Sequence, residues 1–143
     1  SSIGDSFDLD KDVLMTGILL HNVGKLKELS AGLETDCTNE GNFLGHPVLS
    51  RDIVREATGK IKGFPASQQL KLEHMILAHR GRLEWRDNLK PNNPEALLLN
   101  LIHNLDKQMN LMKKSIEEDV EDGEWTARVN PLYIPLYKGK TKK

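Results

Sequence analysis

Apolar residues along the chain recur at steps of three and four, the spacing of helices with one buried face. The first such run, opened by Asp10 or Asp12 as a cap, predicts a helix to about Leu29, with Val13, Leu14, Gly17, Ile18, Leu20 and His21 on its inner side. Gly17 and Gly24 weaken that helix, so close packing must require them. Turn residues from Ser30 to Asn42 predict a loop. A second helix is expected from Phe43 to about Thr58, with Val48, Leu49, Ile53 and Val54 on one face and Pro47 in its first turn. Gly59 to Pro65 reads as a turn. Ser67 is the expected cap of a third helix from Gln68 to about His79.

A charged loop, Arg82 to Asn93, precedes the longest helix. Asn93 caps it, Pro94 takes the first position, and it runs to about Asp119. Its Leu98, Leu101, Ile102, Leu105, Met109, Met112 and Ile116 form an expected core stripe, the methionines acting as filler. Beyond Gly123 the pattern is irregular, with Trp125, Leu132, Tyr133, Leu136 and Tyr137 as expected anchors and a basic, solvated tail from Lys138.

Composition narrows the class. Hydrophobic residues make up 38% of the 143, charged residues 29% and aromatics 5%, which suits one helical domain. A net charge of -1 gives no global pull toward nucleic acid or an anionic surface. Cys37 is the only cysteine, so an intrachain disulfide and a cysteine metal site are both excluded, in keeping with a reducing cytoplasm. No apolar stretch approaches a membrane span. The start, Ser1-Ser2-Ile3-Gly4-Asp5-Ser6, reads as a cut end or a loop.

The chemistry-bearing residues interrupt the apolar runs. In Leu19-Leu20-His21-Asn22-Val23-Gly24-Lys25-Leu26 an imidazole and an amide stand side by side, followed by a glycine and a cation able to meet a phosphate. His46 stands beside Gly45 at a helix start and His79 at a helix end; His103 flanks the long helix. One inward histidine from each helix is how a bundle builds a metal site from distant sequence. His74 and His79 are five apart and on different faces, and only His79 is assigned to the cluster.

Together, LLHNVGKLKEL (from Leu19), TNEGNFLGHPVL (from Thr38), LEHMILAHRGRLEW (from Leu72), KPNNPEALLLNLIHNLDKQMN (from Lys90) and Glu124-Trp125-Thr126 resemble the HD-domain metal-dependent phosphohydrolases. The resemblance is nearest to the C-terminal HD domain of YhaM-type bacterial 3′-5′ exoribonucleases. It implies an all-α HD-domain bundle of about five helices with irregular connections and a C-terminal segment. It also implies a single domain over 1–143, without the relatives' preceding metal-histidine helix and oligonucleotide-binding domain.

The implied metal ligands His21, His46 and His79 are retained. Asn22 stands where that family has a metal-binding aspartate, Arg80 where it has a second histidine, and His103 where it has the distal aspartate. Paired divalent ions need anionic oxygens to balance and bridge them, and an amide is a poor substitute. A guanidinium repels a nearby ion and is expected to fill the vacated space.

Two readings follow. The first is a degenerate, non-catalytic module with a structural, interaction or phosphate- and RNA-binding role. The alternative is an active phosphohydrolase or exoribonuclease with a histidine-rich site of His21, His46, His79 and His103, in which Lys25 contacts phosphate. The implied cofactor is a divalent ion, with manganese, zinc, magnesium and iron left open, or none. The implied partners are RNA or a nucleotide phosphate and a protein or second copy, in the cytoplasm.

Overall fold

The structure is a computed structural model and describes residues 7–30, 36–81 and 89–139. Among these residues it is helical, with isolated bridges at Leu29–Cys37 and Trp125–Tyr137 in place of strands. Four helices have ten or more residues and one is a single turn: α1 (Lys11–Leu20), α2 (Lys25–Glu28), α3 (Asn39–Gly59), α4 (Ala66–Ala78) and α5 (Pro94–Glu117). The chain divides into two compact units, Ser1–Leu101 and Ile102–Lys143, with α5 running through the division. No described helix is long and apolar enough to cross a membrane.

In the first unit, Val13, Leu72, Met75, Ala96 and Leu99 form the core, with Leu14, Ile18 and Phe64 against them. Burying a side chain such as Met75 or Leu99 contributes roughly 1.5–3 kcal/mol. Gly17 lets α1 close onto α4: a Cβ there would lie 2.4 Å from the Met75 methyl carbon. Asp10 caps α1 by accepting from the Val13 amide (3.1 Å). Its own amide donates to buried Glu95 at the start of α5 (2.9 Å). Glu73 on α4 accepts from Arg55 on α3 through both carboxylate oxygens.

Several boundaries differ from expectation, each for a local reason. The first helix stops at Leu20, because the chain turns through 21–24 and Gly24 is pressed onto α3. A Cβ on Gly24 would lie 2.3 Å from the His46 carbonyl oxygen and 2.4 Å from the Ser50 amide nitrogen. The second expected helix, α3, starts at Asn39 rather than Phe43, since Thr38 caps it by accepting from the Gly41 amide (3.0 Å). It breaks at Gly45 (φ 68°, ψ 158°), so Pro47 falls in the first turn of the restarted helix and costs little there. Pro65, not Ser67, precedes α4, and no side chain caps it. Asn93 does cap α5, accepting from the Ala96 amide (2.8 Å). The remainder of the expected loops, residues 31–35 and 82–88, lies outside the described residues, as do 1–6 and 140–143.

The expected core stripe of α5 is largely exposed: Leu101, Ile102, Leu105, Met109 and Met112 face solvent, while Ala96, Leu99, Asn100 and Ser115 are buried. Three- and four-residue steps define a face but do not supply what covers it. In the second unit, Leu136 and Thr126 are buried, but Trp125, Tyr133 and Tyr137 are exposed. Trp125 and Tyr137 pack on each other with ring centroids 5.2 Å apart instead of anchoring a core. The knot of this segment is polar. Asp119 accepts from the Ala127 amide (3.0 Å) and Lys138 Nζ (2.7 Å), and Lys138 holds its carboxyl below the usual range.

Candidate metal centre

Two histidines close helices by the same device. His21 ends α1 and His79 ends α4, where the last carbonyls lack helical partners. His21 Nδ1 donates to the Ile18 carbonyl (2.7 Å) and His79 Nδ1 to the Ile76 carbonyl (2.5 Å), each three residues back. A carbonyl only accepts, so in each ring Nδ1 carries a proton, which leaves Nε2 as the nitrogen able to ligate.

His46 enters from α3 just after the Gly45 break. Its amide donates to Glu28 Oε1 (3.1 Å), and its Nδ1 lies 3.3 Å from Glu28 Oε2. The His79 ring neighbours both of the others. Centroids of His21 and His79 are 5.0 Å apart and nearly perpendicular, and those of His46 and His79 are 5.6 Å apart. His46 and His79 are buried, and His46 Nε2 has no hydrogen-bond partner among the described residues. Such an orphaned buried nitrogen is costly unless something coordinates it. Burial lowers the His46 pKa from its ordinary value; Glu28 opposes this, and the positive charges of Arg80 and Lys25 reinforce it. The ring is therefore neutral at neutral pH, the form that ligates metals.

The HD domain family profile matches residues 1–110, the stretch that carries all three of these rings. The chain belongs to the HD-domain family. It is 40% identical over 124 residues to the 3′-5′ exoribonuclease YhaM of Bacillus subtilis, covering 87% of this chain and 39% of that protein. The YhaM of Bacillus pumilus gives the same figures, and that of Bacillus licheniformis is 39% identical over 142 residues, covering 95% of this chain and 45% of the relative. The chain thus spans less than half the length of these relatives. No solved structure matches it significantly.

Three imidazole nitrogens, each with Nδ1 committed to an oxygen, are donors of the kind a divalent ion accepts. A pair of hard ions would need bridging carboxylates, and Asn22 offers an amide instead. Asn22 is half-buried, and its Oδ1 is buried without a hydrogen-bond partner among the described residues.

Arg80 does not fill the space among the imidazoles. Its side chain is exposed and lines a groove of about 270 Å³ with Leu44, Pro47, Leu77 and Leu89. A guanidinium keeps its hydration there, whereas burial among neutral rings would strip it. Lys25 is exposed at the start of α2. His103 lies on α5 in the second unit and is half-buried. His74, assigned away from the cluster, accepts from the Asn92 amide through Nε2 (3.1 Å).

Three supporting residues escaped sequence reasoning. Glu28 reads as the polar end of a helix, and only the folded chain brings it to His46. Ser50 Oγ donates to the His21 carbonyl (2.9 Å) and accepts from the Gly24 amide (2.8 Å), fixing the turn after α1. Asn100, fully buried, donates to the carbonyls of Ala78, His79 and Gly81 and holds the end of α4. Its signal was available: a lone amide inside the apolar run Leu97 to Ile102 must be satisfied if it is buried.

Proposed function

We propose that this HD domain is a phosphodiester-directed site of altered type, in which His21, His46 and His79 hold one divalent ion of the zinc class through their Nε2 atoms. The packing of the His21 and His46 rings against His79, with all three Nδ1 atoms committed, supports this most strongly. An ion bound there supplies Lewis acidity toward a phosphoryl oxygen. The chain's own residues do the rest. The imidazoles are pre-oriented by the Ile18 and Ile76 carbonyls and by Glu28. Lys25 and Arg80, exposed cations whose charges both bear on His46, take the substrate's phosphates. The exoribonuclease relatives point to RNA as the phosphodiester.

A second reading, binding without cutting, is favoured by Asn22, whose amide leaves the cluster without the anionic oxygen that bridging ions need. Both readings are tested on metal-stripped protein titrated with zinc and manganese and assayed on a short RNA and a simple phosphodiester. One equivalent of zinc, with cleavage that chelation abolishes, establishes the enzyme. One equivalent of zinc, with RNA bound but uncut, establishes the binding module. No uptake of either metal at saturation overturns the metal centre.

A further inference from the structure

We propose that Glu28 is the positioning residue of this centre: its carboxylate holds His46 in the orientation and tautomer that present Nε2 to an ion. The proposal rests on the metal-centre reading above. His21 and His79 sit at helix C-termini, where a carbonyl three residues back is available to Nδ1. His46 sits where α3 restarts after the Gly45 break, and its Nδ1 faces a side chain of another element rather than a carbonyl. That side chain is Glu28, at the end of α2.

The surroundings of Glu28 are built to keep it there. Its carbonyl accepts from the Thr38 amide (2.8 Å), and the Lys27 carbonyl accepts from Thr38 Oγ1 (2.7 Å). The first turn of α3 lies directly on it, since a Cβ on Gly41 would fall 2.5 Å from the Glu28 carbonyl oxygen. The side chain then meets His46 twice, at the backbone amide (3.1 Å) and at ring Nδ1 (3.3 Å). Two contacts from one carboxylate fix both the residue and its ring. The carboxylate is 17% exposed and the imidazole 6%, so solvent competes little for either. A carboxylate behind a histidine raises the ring's basicity as a ligand. Here it also brings negative charge beside a cluster of imidazole donors.

The rival role is a plain helix cap, with Glu28 merely accepting the His46 amide. The test compares the full chain with Glu28→Gln, which keeps shape and acceptor but drops charge, and Glu28→Ala. Three quantities are read: melting temperature, zinc affinity by competition with a chromophoric chelator, and imidazole ¹⁵N shifts of the metal-free proteins. The expected result is His46 as the Nδ1–H tautomer in the parent and a tautomer mixture in Glu28→Ala. Zinc affinity should fall about tenfold or more in Glu28→Gln and further in Glu28→Ala. The His21 and His79 signals should not move. A lowered melting temperature with unchanged zinc affinity and unchanged His46 tautomer overturns the proposal in favour of the cap. If the parent takes up no zinc, the metal reading fails by itself, and the His46 tautomer in the metal-free proteins still decides whether Glu28 orients the ring.

Discussion

The corner formed by α1, α2 and α3 and the apolar stripe of α5 make an instructive pair. The stripe has the cleaner periodicity, yet Leu105 is 62% exposed and Met109 59%. The corner has the poorer helical pattern, broken by Gly24, Gly45 and Pro47, yet His46, Ser50 and Gly24 are packed without room for a methyl group at Gly24. Regular spacing tells which side chains share a face. Irregular residues within apolar runs tell where the backbone is forced into close, specific contact.

Substitutions in the two regions should therefore behave in opposite ways. The largest effect is expected from Gly24→Ala, because its new methyl group would meet backbone atoms that cannot swing aside. Urea unfolding should show a loss of about 3 kcal/mol or more, or no folding at all. Asn100→Ala strips donors from three carbonyls at the end of α4 and should cost about 2–3 kcal/mol. It should also weaken zinc uptake by loosening His79; full retention of stability would show that the amide holds nothing.

Acid should act on the first unit through its buried rings. Burial lowers the pKa values of His46 and His74 below the ordinary 6.5. The unfolded chain then binds more protons than the folded one just below that value. Stability should fall as pH drops through about 6.5 and level off once the folded pKa values are passed. Melting temperatures across pH should show this, with a shallower fall in His74→Gln. The smallest change is expected on α5, where Leu105→Gln and Met109→Lys should shift unfolding by less than about 0.5 kcal/mol. A loss of several kcal/mol there would mean the stripe is covered after all.

The all-α class, the helix starts at Asp10 and Asn93 and the need for close packing at Gly17 and Gly24 were legible in the sequence, because each depends on local chemistry. The resemblance to HD domains also groups His21, His46 and His79, and the rings of His21 and His46 each lie beside that of His79. What was not legible depends on contacts between distant segments. The early end of α1 needs Ser50 and the pressure of α3 on Gly24. The Glu28–His46 pairing needs the Gly45 break. The expectation for Arg80 weighed charge at a position without knowing which way the side chain leaves the helix end; it leaves toward the groove beside Leu77.

The most direct measurement is X-ray absorption at the zinc edge on protein loaded with one equivalent of zinc. Three imidazole nitrogens at about 2.0–2.1 Å should appear in the first shell and be lost in His46→Ala. A shell dominated by oxygen, or a spectrum unchanged by His46→Ala, would contradict a centre built on His21, His46 and His79.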